Sequence, residues 1–181
     1  MEIYVIRHGQ TDWNVEHRIQ GHTDTLLNNT GKLQALELAK KLENINFDLI
    51  ISSPLARASE TAKTVNNFKN LNIVYDDSIS ERRFGDFEGK TDLSEYDCSI
   101  SMLLDYYLNY NKHDVEPLQD FFKRVNNFLE KCKSQYPNSK ILISTHGGVA
   151  QAMEVILNNL PLDTDLQSLS LNNCEYRHYI L

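Results

Sequence analysis

Cysteine is scarce in this chain and forms no recognisable pattern. The 181 residues include 3 cysteines, Cys98, Cys132 and Cys174, whose spacing matches neither a disulfide framework nor a C-x-x-C motif. The N-terminus also lacks a basic segment followed by an apolar one, so no signal peptide is expected. We therefore predict reduced thiols and a cytoplasmic protein, with Cys132 on the buried face of a helix.

Long apolar runs and an excess of positive charge are lacking as well. No stretch approaches the roughly 20 apolar residues that a membrane-spanning helix needs. There are 25 acidic residues against 18 lysines and arginines, which gives a net charge of -7. A surface of that sign argues against nucleic acid or an anionic membrane as the main partner. A small anionic substrate is not excluded, because two arginines can dominate the charge of one pocket.

Proline and glycine are also few, with 4 and 7 copies, and no repeat, low-complexity tract or linker interrupts the chain. With 41% hydrophobic residues, the chain is long enough to bury a sizeable core. We therefore predict a single domain over residues 1–181.

The sequence does contain a regular alternation of predicted strands and helices. Apolar runs predict strands at residues 3–6, 48–52, 72–75 and 140–145, with two further candidates at 167–171 and 175–180. Helical patterns follow residues 29, 53, 117 and 146, and a weaker one covers residues 93–110. This order predicts an α/β fold, a three-layer α/β/α sandwich with a mostly parallel central sheet.

Residues suited to phosphate chemistry follow three of the predicted strands. The first strand ends at Arg7-His8-Gly9, the second leads into a helix that carries Arg57, and a late strand ends at His146. The carboxyl ends of parallel strands lie on one edge of a sheet, so these residues are expected to converge. Imidazole is a nucleophile near neutral pH, and guanidinium binds phosphate oxygens in bidentate fashion.

These residues together predict a phosphoryl-transfer site. His8 can attack phosphorus through one ring nitrogen if the other holds its proton against a backbone acceptor. We expect Arg7 and Arg57 to clamp the phosphoryl oxygens, and His146 to donate a further hydrogen bond as a cation. The backbone of Gly147 and its neighbour, at a helix N-terminus, is expected to add to this anion site.

An acid that protonates the leaving oxygen is expected in the loop after the third strand. Glu81 lies in that loop, but so do Asp76, Asp77, Asp86 and Glu88. The residue pattern alone does not choose among these five carboxylates, and most of them are expected to be surface charges.

The ordered motifs resemble the histidine phosphatase superfamily, in its phosphoglycerate-mutase-like branch. The similarity covers nearly the whole chain and rests on residues 7–14, 20–31, 52–62, 81–89 and 144–148. It implies a phosphoglycerate-mutase-like fold, a covalent phosphohistidine at His8, Glu81 as the acid and a phosphate contact from Asn14. It also implies a small phosphorylated metabolite as substrate, with no metal and no cofactor.

Two segments depart from the family pattern. Val115-Glu116-Pro117 stands where the family often has glycine, glutamate and serine, so no substrate role is assigned to Glu116. The segment from Thr91 to Asp114 matches no subfamily, and in this fold it is expected to roof the pocket and decide the substrate. Because the stretch between Gly89 and Pro117 is short, it favours water access and a phosphatase.

Several alternatives stay open at this point. The first is a phosphoglycerate mutase, which transfers phosphate between 2- and 3-phosphoglycerate, and the second is a phospho-ligand binding protein without turnover. A metal site built on His8 and His146 is a third, although the dense carboxylate or cysteine ligands typical of such sites are lacking. The oligomeric state is open as well, with a homodimer among the alternatives.

Overall fold

A five-stranded sheet forms the centre of the computed structural model, which describes residues 1–181. The strands are β1 (Glu2–Arg7), β2 (Leu49–Ser52), β3 (Ile73–Tyr75), β4 (Lys140–Thr145) and β5 (Tyr176–Ile180). Their order across the sheet is β3-β2-β4-β1-β5. Every pair is parallel except β1 with β5, which is antiparallel. The predicted, mostly parallel central sheet is confirmed.

Six helices accompany the sheet. They are α1 (Asp12–Val15), α2 (Asn29–Lys41), α3 (Ala56–Asn66), α4 (Ile100–Leu104), α5 (Leu118–Gln135) and α6 (Gly147–Leu157). None of them combines the length and the apolar character that crossing a bilayer requires.

The alternation of side chains along β1 explains the layers. Successive residues of a strand point to opposite faces, and here both faces are covered. Ile3 and Val5 belong to an apolar cluster with residues of α5 and α6, whereas Tyr4 and Ile6 belong to a second cluster with residues of α2 and α3. Continuous apolar strands are typical of a parallel sheet that is buried on both sides. The α/β/α sandwich is therefore confirmed. Cys132 is buried in the first cluster, as predicted.

One of the predicted strands is wrong. Residues 167–171 do not join the sheet, and a 3-10 helix instead spans Leu166–Leu169. Asp165 caps this turn, because its carboxylate accepts a hydrogen bond from the backbone N–H of Gln167 at 3.0 Å. A local side-chain contact of this kind competes with strand pairing.

The weakly helical segment 93–110 is mostly irregular. It contains a 3-10 helix at Ser94–Tyr96 and the short helix α4. A small apolar cluster of Phe87, Leu93, Leu103, Tyr110 and Val115 attaches this segment to the loop that precedes it. The segment is therefore anchored close to the carboxyl edge of the sheet, where the predicted site lies.

Candidate active site

Two neighbouring strand pairs bring the predicted motifs together. Arg7 at the end of β1 is in register with Thr145 at the end of β4, so His8 and His146 lie side by side. Their ring centroids are 5.2 Å apart. Strand β2 pairs with β4 on its other side. The backbone N–H of Ser53, the residue that follows β2, donates to the carbonyl of Ser144 at 2.9 Å, so Ser53 lies at the same edge of the sheet as the two histidines.

His8 is held in one defined orientation. It is 3% exposed, and its Nδ1 lies 2.7 Å from the carbonyl oxygen of Gly9. A carbonyl oxygen can only accept, so this contact assigns the ring proton to Nδ1 and leaves Nε2 with its lone pair free. Burial, and after it the cation of Arg57, lowers the pKa of His8 well below the usual value. The expected backbone acceptor is therefore present, and the ring is neutral.

Arg7 and Arg57 are each tied to backbone carbonyls. Nη1 of Arg7 donates to the carbonyl of Leu171 at 2.6 Å. Arg57 is fully buried, and it donates through Nη1 to Thr23 at 2.9 Å and through Nη2 to Gly21 at 2.8 Å. The Nε atoms of both arginines are buried without a partner. Each guanidinium is thus fixed in place and still has an N–H group that an anion can accept.

Glu88 supports Arg57 indirectly, a role that the sequence analysis missed. Its carboxylate accepts from the backbone N–H groups of His22 at 2.9 Å and Thr23 at 2.7 Å, and from that of Phe84 at 3.0 Å. These bonds hold the loop whose carbonyls receive Arg57. Glu88 is therefore not one of the surface charges expected in this loop, because its hydrogen bonds link two loops far apart in the chain.

Glu81 faces the same cavity between two backbone N–H groups. Its Oε1 accepts from Arg82 at 2.9 Å, and its Oε2 accepts from Gly148 at 3.1 Å. A Cβ atom at Gly148 would lie 2.5 Å from Glu81 Oε1, so this position has to be glycine for the carboxyl group to stay there. The backbone N–H of Gly148 is bonded to Glu81, so the expectation that this N–H contributes to the anion site is corrected. Gly147 does line the cavity.

A partly buried ion pair holds the loop that carries Glu81. Arg124 of α5 contacts Glu116 twice, at 2.6 Å and 2.9 Å. The remaining N–H groups of Arg124 donate to the carbonyls of Ser78 and Ser80, both at 2.8 Å, and to that of Glu81 at 2.9 Å. Glu116 therefore has a structural role as the partner of Arg124, and no role for it was predicted from the sequence. No local pattern shows it, because the two partners meet only through the packing of α5.

His146 is fully buried at the start of α6. Its Nε2 lies 2.8 Å from the hydroxyl of Ser53, and its Nδ1 is buried without a partner. Burial lowers the pKa of His146 well below the usual value, and the charge of Arg57 acts in the same direction. The prediction of a cationic His146 is therefore wrong for the free protein, since the neighbouring arginines and the lack of solvent disfavour a second positive charge.

Asn14 lies behind His8. Its Oδ1 accepts from the backbone N–H of Thr11 at 3.1 Å and from Nδ2 of Asn173 at 3.3 Å. Asn173 in turn donates to the carbonyl of His8 at 3.0 Å. The amide oxygen of Asn14 therefore accepts hydrogen bonds within the loop, and its nitrogen is the atom of the side chain that is free to donate. Asn14 does not line the cavity.

The cavity has a volume of about 190 Å³ and a polar and an apolar side. Its polar lining consists of Arg7, His8, Gln20, Gly21, Arg57, Glu81 and Gly147, and its apolar lining of Ile19, Phe84, Ile100, Leu103 and Leu104. Three of these apolar side chains come from α4, so the segment between Thr91 and Asp114 does cover the pocket. The tyrosines of this segment do not line the cavity. No group of three or more histidine, cysteine, aspartate or glutamate side chains is placed to hold a metal ion.

We expect His8 and His146 to remain neutral when the free protein is brought from pH 7.5 to pH 5.5. Burial is the main cause, followed by Arg57. In the unfolded chain both rings take up a proton near pH 6.5. The unfolded state then binds more protons, so the free energy of unfolding falls as the pH drops below about 6.5. The ¹³Cε1 shifts of the two rings, assigned with His8→Asn and His146→Asn variants, test this. Titration midpoints at or above the usual histidine pKa of about 6.5 would contradict the expectation that both rings stay neutral.

A family model and several known proteins match the chain. The model of the histidine phosphatase superfamily (branch 1) matches residues 3–179. An uncharacterized phosphatase, PhoE of Bacillus subtilis, is 34% identical over 94% of this chain and 83% of its own length. A probable phosphoglycerate mutase, GpmB of Escherichia coli, is 29% identical over 96% of this chain and 82% of its own. The structure of a mycobacterial glucosyl-3-phosphoglycerate phosphatase complexed with VO3 superposes with a TM-score of 0.87, at 26% identity over 98% of this chain and 90% of that one.

Proposed function

The chain belongs to the histidine phosphatase superfamily, branch 1, whose enzymes act through a phosphohistidine intermediate, and we propose that His8 is the residue that becomes phosphorylated. We further propose that the enzyme hydrolyses phosphomonoesters without a metal ion. The observation that carries the proposal is the contact between His8 Nδ1 and the Gly9 carbonyl at 2.7 Å. It leaves Nε2 of a neutral ring free as the nucleophile, in a cavity shared with Glu81.

The proposed phosphate site consists of Arg7, Arg57, His146, Asn14 and Gly147. Its support is the set of buried N–H groups that have no acceptor within the protein, namely Nε of both arginines and Nδ1 of His146. Buried donors are rarely left unpaired, and donors arranged around a developing charge are the main source of catalysis in phosphoryl transfer. The backbone of Gly147 adds the N-terminus of α6.

In the first step, Nε2 of His8 attacks phosphorus and the bond from phosphorus to the leaving oxygen breaks. Glu81 gives its proton to that oxygen. The ring keeps its Nδ1 proton, and the contact with Gly9 stabilises the positive charge that the ring acquires. In the second step, the carboxylate of Glu81 takes a proton from a water molecule that attacks phosphorus. The bond to Nε2 breaks, its electron pair returns to the ring, and inorganic phosphate is released.

Ser53 is proposed to set the tautomer of His146. The hydroxyl oxygen accepts from the backbone N–H of Leu55 at 3.3 Å and lies 3.4 Å from the hydroxyl of Ser80, and its shortest contact, 2.8 Å, is with Nε2 of His146, to which we assign its proton. The ring proton then resides on Nδ1, which becomes the donor to a phosphoryl oxygen.

We expect Ser53→Ala to lower kcat/KM by about tenfold, because the His146 donor is no longer held in one tautomer and orientation. Ser53→Thr is the matched control, since it keeps the hydroxyl. Natural-abundance or labelled ¹⁵N spectra of His146 give a second readout, in which the Nδ1-protonated tautomer should dominate only when the hydroxyl is present. Equal kcat/KM and an unchanged tautomer in the alanine variant would contradict the assignment.

Hydrolysis of 4-nitrophenyl phosphate in the presence of EDTA tests the proposed activity. We expect turnover that is insensitive to the chelator, together with an acid-labile phosphoryl group on the protein. Activity that disappears with EDTA and returns with a divalent cation would contradict a metal-independent mechanism. Binding of phosphorylated ligands with neither turnover nor a covalent phosphoryl group would instead indicate a binding protein.

A phosphoglycerate mutase is the second candidate, and the similarity to GpmB favours it. It predicts interconversion of 3- and 2-phosphoglycerate that depends on a bisphosphorylated primer. We place hydrolysis first because the segment over the pocket is short and includes only a 3-10 helix at Ser94–Tyr96 and the five-residue helix α4. Primer-dependent interconversion faster than hydrolysis of the same substrate would reverse that order.

We also retain four broader proposals. The substrate is a small phosphorylated metabolite, which the cavity volume of about 190 Å³ supports. The net charge of -7 supports a function without nucleic acid or membrane as partner. The protein forms one domain and is cytoplasmic. The single sheet supports one domain, and the three free cysteines support a cytoplasmic location. A homodimer stays a prediction.

A further inference from the structure

The ring of His22 bridges two segments of the active site. The side chain of His22 is exposed, and its Nε2 lies 2.8 Å from the backbone carbonyl oxygen of Glu81, which is 59 positions away in the chain. A carbonyl oxygen can only accept, so Nε2 carries a ring proton and donates it. The protonated ring also has this N–H group, so the contact does not depend on the charge of His22.

The segment that carries this ring also anchors the phosphate site. The carbonyls of Gly21 and Thr23, one on each side of His22, accept from the Arg57 guanidinium at 2.8 Å and 2.9 Å. Gly21 has a φ of +56°, and a Cβ atom there would overlap Oε1 of Glu88. That same oxygen accepts from the backbone N–H of His22 at 2.9 Å. The backbone on both sides of the ring is therefore fixed in place.

The backbone of Glu81 is held by donors from two different parts of the chain. Its carbonyl oxygen accepts from Nη2 of Arg124, in α5, at 2.9 Å, in addition to the contact with His22. An acid has to stay within about 2.6–3.2 Å of the oxygen that it protonates. Loss of one of the two donors lets the backbone of Glu81 move, and the carboxyl group moves with it.

We propose that His22 is a positioning residue for the acid. Its Nε2–H group holds the backbone of Glu81 at a fixed place relative to Arg57, so that one segment fixes both the phosphoryl group and the proton donor. The inference rests on the proposed phosphatase activity with Glu81 as the acid, and it adds a residue that acts without touching the substrate. His22 does not line the cavity, so its effect passes through Glu81.

Two substitutions separate the ring of His22 from its N–H group. His22→Phe keeps a ring without the donor, and His22→Gln keeps an N–H donor without the ring. We expect His22→Phe to lower kcat/KM about tenfold for phenyl phosphate and less than about twofold for 4-nitrophenyl phosphate, because nitrophenolate leaves without a proton. His22→Gln should recover most of the loss. Thermal unfolding shows that both variants are folded at the assay temperature.

A double-mutant cycle tests whether His22 acts through Glu81. In a Glu81→Gln background, His22→Phe should change kcat/KM for phenyl phosphate by less than about twofold, because the acid is already absent. The inhibition constant of inorganic phosphate is the readout for the phosphate site. It should stay within about twofold of the wild-type value in His22→Phe, since Arg57 keeps both of its carbonyl partners.

Several results would overturn the inference while leaving the phosphatase intact. They are equal losses or no loss on the two aryl phosphates, additive losses in the cycle, and a matching loss of phosphate affinity, which would indicate a general structural role for His22. Wild-type turnover of 4-nitrophenyl phosphate alone would overturn it too, because no acid would then assist the leaving group. No turnover of either compound would instead remove the proposed function, and this inference with it.

Discussion

Replacing His8 by alanine is expected to lower kcat for 4-nitrophenyl phosphate by about 10⁴-fold or more, as loss of a nucleophile typically does. The reason is that no other side chain lining the cavity offers a neutral nitrogen with a free lone pair. The acid-labile phosphoryl group on the protein should disappear with the activity. Steady-state kinetics and a gel-based test for base-stable, acid-labile phosphate measure the two effects.

Binding of inorganic phosphate is the control for the His8→Ala variant. Arg7 and Arg57 keep their own backbone contacts in this variant, so phosphate should still bind with an affinity close to that of the wild type. Loss of both phosphate binding and folding would show only that the site had collapsed. A folded variant that keeps its turnover, or that still carries phosphohistidine, would show that another residue is the nucleophile.

Replacing Glu81 by alanine is expected to have the second largest effect, and the size should depend on the leaving group. For an alkyl phosphate, kcat should fall by about 10²–10⁴-fold, the usual contribution of a general acid. For 4-nitrophenyl phosphate the first step should fall far less, because nitrophenolate leaves without a proton. Since Glu81 is also the proposed base of the second step, the variant should release nitrophenolate in a burst and accumulate phosphohistidine.

Gly148→Ala tests whether the position of the Glu81 carboxyl group matters, because it keeps Glu81 in the protein. The added Cβ atom would lie 2.5 Å from Glu81 Oε1 and displace the carboxyl group. We expect this variant to show the same dependence on the leaving group as Glu81→Ala, although with a smaller loss. Gly147→Ala is the comparison variant: its new Cβ atom lies 3.6 Å from Nε of Arg7, so any loss should come through the phosphate site and should be equal for the two substrates, unlike that of Gly148→Ala. Equal losses on alkyl and nitrophenyl substrates in Gly148→Ala would argue against Glu81 as the acid.

The predictions that succeeded concern elements whose signals are local. The apolar runs of β2 and β4 and the helical stripe of α5 define their own secondary structure. The predicted convergence of His8, Arg57 and His146 also holds, because strand order and the parallel register bring strand ends to one edge. Residues 167–171 failed for the opposite reason. Their apolar character suited a strand, but the Asp165 cap and the neighbouring packing of Leu166 decided the conformation.

The features of the site that were predicted wrongly or not predicted at all depend on contacts between distant segments. The neutral state of His146 follows from its complete burial next to Arg57, which lies 89 positions earlier in the chain. The support that Glu88 gives to Arg57 passes through the carbonyls of an intervening loop. The pairing of Arg124 with Glu116 needs α5 to pack beside the loop of Glu81. Residue types show that such contacts are chemically feasible, but they do not show which of them form.

The sequence by itself determined the fold class and the residues able to handle phosphate, because strand periodicity and the chemistry of histidine and arginine are local properties. The tertiary structure alone decided which nitrogen of His8 carries the proton, that His146 is neutral, and that the ring of His22 reaches the carbonyl of Glu81. Those properties depend on desolvation and on hydrogen bonds between residues from different parts of the chain. They exist only after the strands and loops have been brought together.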